Sequence, residues 1–381
     1  ESMKRAIEFA GNYSKEHNVP VVMNVSYGIG TEREGESDID QVADRLLQRF
    51  PLLAMATSAG NAGPGLSTVG TPAGADLAFS AGALLTRENA QGLYGARIAR
   101  DVIFYFSSRG GELAKPNGLA PGVAASTVPN WETWPTMRGT SMASPQCAGA
   151  MALLASASIQ DDGLRKFNGG ILARALANSG KPLEKYTLLD QGRGVVHLPT
   201  AWDTFKTLTR RKNADYLAGF QVRGDVPTAP GGKGPAAFFR AGTYIPKSPD
   251  AVHFNIEPLF MEHVDAKERE SYFETYDLFV DGGDWLAPTS DSIFINKGNS
   301  VSVDVLYDAA KLTTPGIHSA VIYGVPRGVD KKKENAVFEL WNTVIVPDLF
   351  DLTKGFSKEF KNKSIKPGEI ERYFFRVPEG A

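Results

Sequence analysis

Residues 139–145 read GTSMASP, and the run QCAGAMALLASA follows them at once. Small and apolar residues fill this second run, which predicts a buried helix with Ser141 in its first turn. The N-terminus of a helix has unpaired N–H groups and a partial positive charge, and both stabilise an anion that forms beside a hydroxyl. The stretch therefore predicts a nucleophilic serine, whereas a plainer interpretation makes Ser141 only the cap of the helix.

Two other apolar runs end in small and polar residues. LLAMAT leads into SAGNAGPG, residues 58–65, and VVMNV leads into Ser26, Tyr27 and Gly28. Each pattern predicts a strand that ends in a loop with glycine. The plainer interpretation is a turn and an ordinary buried strand, but a strand of a parallel sheet can also offer its C-terminal end to a ligand.

The motif around Ser141 and the segment around Asn61 resemble those of the subtilisin-like serine proteases. The resemblance implies that Ser141 is the nucleophile, and that the Asn61 side-chain amide forms the oxyanion hole together with the Ser141 backbone N–H. It also implies a substrate channel along which a peptide pairs as an added strand. The walls of this channel are Ser26, Tyr27 and Gly28 on one side and Ser58, Ala59 and Gly60 on the other.

Further segments look like the tripeptidyl peptidase II branch of the subtilases, among them LSTVGTPAGA, QGRGVVHL, FNIEPLF and the tail IKPGEIERYFFRVPEGA. Members of this branch remove tripeptides from free N-termini, and they hold the substrate ammonium group with acids, one of which directly follows Ser-Tyr-Gly. Ile29 occupies that position here, and an isoleucine cannot pair with an ammonium group. Glu32, Glu34 and Glu36 follow in what is expected to be a solvated loop. Exopeptidase and endopeptidase specificity therefore both stay open.

The partners of the serine are not evident in the sequence. A serine hydroxyl needs a base, usually a His oriented by a carboxylate, and subtilases supply these in the order Asp, His, Ser. His17 is the one histidine before Ser141, and its surroundings SKEHNVP differ from the His-Gly-Thr setting of the family. We expect the catalytic Asp and His to belong to a missing upstream part, both ends of the chain to be truncated, and the chain by itself to be inactive.

Composition excludes several other classes. The 381 residues are 42% hydrophobic and 22% charged with a net charge of −2, which gives no strong attraction to nucleic acid or anionic membranes. No apolar run reaches about 18 residues, the length that spans a bilayer. A single cysteine, Cys147, excludes an internal disulfide framework and a multi-cysteine metal site. No metal or cofactor is implied. The resemblance implies a cytoplasmic location, and a secreted protein stays an alternative.

The pattern along the chain predicts an α/β parallel sheet at residues 1–213, a turn-rich linker at 214–239 and an all-β sandwich at 240–349. The resemblance implies that the first of these is an incomplete subtilisin-like sheet. Residues 350–381 are expected to begin a further β domain. The predicted function is a serine peptidase that cleaves peptides or unfolded proteins, with assembly of copies through the β domains left open. The alternative is a catalytically silent subtilase-like scaffold.

Overall fold

The structure, a computed structural model, describes residues 1–30, 35–125, 136–161, 167–212, 214–226, 229–240, 251–350 and 355–376. Glu32 and Glu34 of the expected solvated loop lie outside these ranges. None of the helices in the described ranges combines the length and the apolarity that crossing a membrane requires.

Helices alternate with strands in the first half of the chain, up to residue 212. Its helices are α1 (Ser2–His17), α2 (Asp38–Arg49), α3 (Arg87–Tyr94), α4 (Thr140–Gln160), α5 (Gly169–Asn178), α6 (Leu188–Gln191) and α7 (Leu198–Thr209). Its strands are β1 (Val21–Val25), β2 (Leu53–Ser58), β3 (Phe79–Leu85), β4 (Val102–Ile103), β5 (Gly118–Pro121), β6 (Val123–Ala124) and β7 (Met137–Arg138). Strands β1, β2, β3 and β5 pair in parallel, and β4 pairs antiparallel with β3. This mixed, mainly parallel sheet with its helices is the α/β class that the sequence predicted.

Helix α4 lies against this sheet and packs on β1, β2, β3 and β5. The side chains that it buries are mostly small, including Ala143, Cys147, Ala148 and Ala155. Small residues let the axis of a helix approach its neighbours closely. The sheet in turn ends its strands beside the N-terminus of α4, which brings the loops after β1 and β2 to the first turn of that helix.

The second half of the described chain is built mainly of strands. They are β8 (Leu217–Asp225), β9 (Lys233–Gly234), β10 (Ala237–Phe239), β11 (Ala251–Phe260), β12 (Phe273–Asp281), β13 (Leu286–Pro288), β14 (Ser292–Asn296), β15 (Val301–Tyr307), β16 (Gly316–Pro326), β17 (Phe338–Val346), β18 (Asp348–Leu349) and β19 (Phe375–Arg376), with one short helix, α8 (Ala266–Glu270). Two five-stranded sheets result, in the orders β13-β15-β11-β8-β9 and β10-β17-β16-β12-β14. All pairs within them are antiparallel except β10 with β17.

Aromatic side chains join the facing surfaces of the two sheets. Phe220 of β8 lies edge-on to Tyr276 of β12, with 5.4 Å between the ring centroids. Tyr307 of β15 lies edge-on to Phe239 of β10 at 5.7 Å, and its buried hydroxyl donates to Asn342 Oδ1 of β17 at 2.6 Å. Because the hydroxyl has a partner, this tyrosine is buried without an unsatisfied polar group.

Residues 214–239, predicted to be a linker, contribute strands to both sheets. β8 pairs with β9 on one side and with β11 on the other. The pairing with β11 runs from Phe254 opposite Gly224 to Phe260 opposite Leu217. Residues 217–225 are thus strand rather than linker, and burial alternates along them as in a sheet with one face in the core. The domain boundaries at 213, 239 and 349 stay a prediction.

Glu339 of β17 connects the two halves through buried charge. Its Oε1 accepts from Arg174 Nη1 of α5 at 2.7 Å and from Arg193 Nη2 at 2.9 Å, and its Oε2 accepts from Trp341 Nε1 at 2.7 Å. Burial by itself would raise the pKa of Glu339, but the two arginines outweigh burial and hold the pKa at about 2. Arg193 also lies over the Tyr323 ring, 4.2 Å from its centroid. The carboxylate therefore stabilises the contact between α5 and the second half in its charged form.

We predict that Glu339→Gln lowers the free energy of unfolding by about 3 kcal/mol at pH 7, because it leaves the buried Arg193 and the partly buried Arg174 without their anion. Glu339 has a depressed pKa in the folded chain, so its stabilisation is present above its ordinary pKa of 4.5 and is lost as the pH falls toward 2. Urea unfolding at pH 7 and pH 3 measures both effects, and the deficit of the variant should shrink at pH 3.

Glu262→Gln is the matched control, since Glu262 forms an exposed ion pair with Arg49 between the same halves, with N···O 3.7 Å. An exposed pair of this kind contributes at most about 1 kcal/mol. Equal losses in the two variants would contradict the role given to Glu339.

Candidate active site

Ser141 is the second residue of α4 and lies partly exposed in the first turn, as the sequence predicted. Its backbone N–H lies in the first turn of the helix, where N–H groups have no hydrogen-bond acceptor within the helix. A Cβ atom at Gly139 would lie 3.3 Å from Asn61 Nδ2 and 3.7 Å from the Ser141 nitrogen. The amide of Asn61 and the N–H of Ser141 therefore flank Gly139 at the start of the helix.

Thr140 fixes the orientation of the Asn61 amide. The backbone N–H of Thr140 donates to Asn61 Oδ1 at 3.0 Å, its hydroxyl donates to the same oxygen at 3.1 Å, and the hydroxyl accepts from the Gly60 N–H at 3.2 Å. Of the two atoms at the end of the amide, only the oxygen can accept from an N–H donor, so the amide nitrogen of Asn61 points away from Thr140. Within the described ranges that nitrogen has no hydrogen-bond partner, which leaves it able to donate to a bound anion.

Proline 145 explains the contact between α4 and the end of β1. Pro145 has no N–H to donate to the carbonyl four residues earlier, which is that of Ser141. The hydroxyl of Ser26 donates to this carbonyl instead, at 2.9 Å. Asn24 then links both elements, because its Nδ2 donates to Ser26 Oγ at 2.9 Å and its Oδ1 accepts from Ser144 Oγ at 2.7 Å. The predicted wall residue Ser26 thus lies directly against the candidate nucleophile.

The two predicted walls, residues 26–28 and 58–60, are connected by Gly70 and Thr71, to which the sequence analysis gave no role of their own. The Ile29 N–H donates to the Thr71 carbonyl at 3.2 Å and the Thr71 N–H to the Ile29 carbonyl at 2.9 Å. The Gly70 N–H donates to the Ala59 carbonyl at 3.1 Å. Residues 70 and 71 therefore lie between the wall segments and join them, while Tyr27 and Ile29 are 56% and 57% exposed.

Buried polar groups stand behind this connection. The Thr71 hydroxyl donates to Asp40 Oδ1 at 3.0 Å, and the Ser37 hydroxyl donates to Asp40 Oδ2 at 2.6 Å. Burial raises the pKa of Asp40, while these hydroxyls lower it in part. Asp40 of α2 is thus occupied by structural contacts.

No histidine or carboxylate of the described ranges hydrogen-bonds to the Ser141 hydroxyl. His17 stacks on Tyr13 at 4.1 Å between ring centroids, and its Nδ1 contacts the Tyr13 carbonyl oxygen at 3.0 Å. Asp44 accepts from the N–H groups of Asp76 and Leu77 at 3.0 and 2.8 Å, and burial together with Asp76 raises its pKa to about 7. Neither residue is placed to serve as the partner of the serine.

Three other side chains with reactive groups also have structural contacts. Asp281 and Asp284 lie in the second half, where they pair with Lys333 and Lys311. Burial raises the pKa of the Cys147 thiol, which is 0% exposed, so this cysteine is a packed side chain rather than a second nucleophile. Among the residues that the structure describes, no group of His, Cys, Asp and Glu side chains is arranged to hold a metal ion.

A mainly parallel sheet that ends at the first turn of a buried helix, with a serine in that turn and an asparagine amide beside it, is the arrangement of a subtilisin-like serine protease. Residues 1–171 match the subtilase family, peptidase S8. This part of the chain belongs to that family of serine proteases.

Almost the whole chain is similar to longer proteins. It is 27% identical to tripeptidyl-peptidase 2 of Caenorhabditis elegans over 99% of this chain, and 26% identical to pyrolysin of Pyrococcus furiosus over 97%. It spans about a quarter of the length of both, 27% in each case. A crystal structure of tripeptidyl peptidase 2 superposes with a TM-score of 0.71 and 23% identity, covering 91% of this chain and 26% of that one. That likeness establishes the fold of the chain across both halves.

We predict that Gly70→Ala lowers the free energy of unfolding by about 1 to 3 kcal/mol, the usual cost of overpacking. The added Cβ would lie 2.5 Å from the Ile29 carbonyl oxygen, so the backbone of the wall would have to move. Gly65→Ala is the control, because its Cβ would meet only Thr68 Cγ2 at 3.6 Å. Chemical denaturation measures both variants. Equal stability of the two would show that the contact between Gly70 and Ile29 is not rigid.

Proposed function

We propose that this chain is part of a subtilase-type serine peptidase that hydrolyses peptide bonds through an acyl-enzyme on Ser141. The Ser141 Oγ attacks the carbonyl carbon of the substrate, and the carbonyl oxygen takes up negative charge. Asn61 Nδ2 and the Ser141 N–H donate to that oxygen. Collapse of the tetrahedral intermediate breaks the C–N bond, and water then hydrolyses the ester.

The orientation of the Asn61 amide is the observation that carries this proposal. Thr140 is fully buried, so its two bonds to Asn61 Oδ1 do not compete with water. A donor that is held in place before the reaction does not have to reorganise when charge develops on the substrate. A helix cap alone would not require an asparagine amide fixed beside the serine with its nitrogen unpaired.

We place the general base and its carboxylate in another part of the full-length protein. The base takes the proton from Ser141 Oγ and passes it to the leaving amine. Two observations support this placement. Within the described ranges the Ser141 hydroxyl has no histidine or carboxylate partner, and the chain spans only 27% of the length of the two relatives. The chain by itself should then be inactive. Because a catalytically silent subtilase-like scaffold would also be inactive, that scaffold is the second candidate function.

The substrate is an extended peptide or an unfolded protein that enters between residues 26–28 and 58–60. Residues 26–28 follow the end of β1, where a peptide can pair as an added strand. Residues 58–60 form only the opposite wall, because the backbone groups of Ala59 and Gly60 are already bonded within the protein. No cofactor takes part in this scheme. We further propose that the two facing sheets form a β-sandwich domain, and that β domains of this kind join copies of the protein.

In the full-length protein, Ser141→Ala should abolish peptide hydrolysis and labelling by a fluorophosphonate, because no acyl-enzyme can form. Asn61→Ala should leave a slow enzyme, with kcat lower by about 10² to 10³, the range known for the loss of one such donor in a subtilase. Asn299→Ala, in an exposed turn of the second half, is the control. Full kcat in Asn61→Ala would refute the oxyanion role, and loss of labelling in all three variants would indicate misfolding instead.

Specificity gives a second prediction, based on the exposed apolar side chain of Ile29. The full-length enzyme should cleave peptides with free and acetylated N-termini at similar rates, because no acid stands at this position to pair with the ammonium group. Ile29→Glu should raise kcat/KM for the free peptide about tenfold or more, which corresponds to roughly 1.4 kcal/mol. Ile29→Gln controls for polarity without charge. Release of tripeptides only, with acetylation blocking cleavage by the unchanged enzyme, would contradict the prediction.

A further inference from the structure

We propose that Arg372, far from Asn61 in the chain, is a positioning residue for the loop that carries Asn61. The inference rests on the proposed function, in which Asn61 stabilises the oxyanion. Residues 366–376, here named the strap, return from the second half and lie on the α/β half. Arg372 Nη2 donates to the Pro64 carbonyl oxygen at 2.8 Å, and the same nitrogen donates to Asp190 Oδ1 at 2.8 Å.

The Asn61 loop, residues 60–68, is fixed by its own backbone on both sides of Pro64. Before it, the Gly63 N–H donates to the Phe106 carbonyl at 2.8 Å, and after it, the Ser67 N–H donates to the Gly110 carbonyl at 2.9 Å. Pro64 itself has no N–H with which to join this ladder. The bond from Arg372 therefore attaches the loop at Pro64, in addition to the packing of Leu66 on the apolar cluster around Trp341 and Ile345.

Asp190 gives Arg372 a rigid base. Its side chain is 4% exposed and caps α6 through the Thr187 N–H and hydroxyl. Its Oδ1 lies 3.3 Å from Nε of Arg109, which is 0% exposed and whose Nη1 donates to the Asp190 carbonyl at 2.9 Å. Burial would raise the pKa of Asp190, but Arg372 and Arg109 outweigh it and keep the carboxyl ionised. The side chain of Arg372 is only 15% exposed, so packing and its ion pair with Asp190 restrict its motion.

Arg109 belongs to the segment that the Asn61 loop lies against. Its backbone carbonyl accepts from the Thr68 N–H at 3.0 Å, and its N–H donates to the Thr68 hydroxyl at 2.9 Å. A series of contacts therefore connects one end of the loop to the other. It runs from Pro64 through Arg372, Asp190 and Arg109 to Thr68. Because a donor displaced by about 1 Å can cost roughly 10²-fold in rate, looser contacts in this series would reduce the stabilisation that Asn61 provides.

The strap has a second, separate anchor that supplies a control. Glu369 Oε1 accepts from Arg100 Nη2 at 2.8 Å and from Lys185 Nζ at 3.0 Å, and the Gly368 carbonyl accepts from the Tyr186 hydroxyl. These contacts hold the strap on the same half without touching residues 60–68. Glu369→Gln therefore weakens strap attachment and leaves the bond between Arg372 and Pro64 in place.

Hydrogen exchange of this chain tests the positioning role without any need for activity. Arg372→Gln should speed the exchange of the Gly63 and Ser67 amides at least about tenfold, whereas Glu369→Gln should leave them unchanged. Arg372→Lys, with a single terminal nitrogen, should fall between. Unchanged protection of the Gly63 and Ser67 amides in a folded Arg372→Gln chain overturns the inference, whatever the catalytic activity of the full-length variant.

Kinetics of the full-length protein distinguish positioning from general support. Arg372→Gln should lower kcat about tenfold and change KM less than about twofold, and Arg372→Lys should restore part of kcat. In an Asn61→Ala background, Arg372→Gln should cost no further activity, because the group that it positions is already gone. A loss that persists in that background overturns the inference. Faster exchange in Arg372→Gln combined with full kcat in Asn61→Ala would refute the oxyanion role of Asn61 but would leave the contact between Arg372 and the loop supported.

Discussion

The hydrogen bonds of Thr140 are the interaction on which the candidate site depends. They join the start of α4 to the loop after β2, and in doing so they fix the residue before the serine and the amide beside it. Thr140 can hold this position only because α4 packs closely on the sheet and excludes water from its first turn. Ser141 is therefore placed by packing of the whole helix rather than by contacts of its own side chain.

The second half is part of the same construction. One continuous apolar core includes Met151 of α4, Leu172 of α5 and Phe254 of β11, and Glu339 adds a buried charge contact across the junction. A buried charge without an opposite charge beside it is destabilising, so Glu339 favours the one arrangement of the halves in which it meets its arginines. The strap extends this dependence to the loop of Asn61. The candidate site is thereby in contact with sequence beyond residue 360.

Local patterns in the sequence predicted the local parts of the site. The small-residue run after Ser141 indicated α4, and the turn after LLAMAT indicated the loop of Asn61, because both signals lie within a few consecutive residues. β8 was missed because the glycines and prolines after residue 224 resemble a linker, and its strand pattern is only nine residues long. The connections through Gly70, Glu339 and Arg372 join residues far apart in the chain, and no pattern in a single sequence shows such pairs.

The single cysteine of the chain gives the α4 core a chemical reporter. Cys147 lies on the helix of Ser141, fully buried, and burial raises the pKa of its thiol. A thiol reagent needs both access and a thiolate, so it reacts when α4 separates from the sheet and the side chain meets water. The rate of labelling thus measures how often the helix that carries the candidate nucleophile opens, in a chain with no second thiol to obscure the signal.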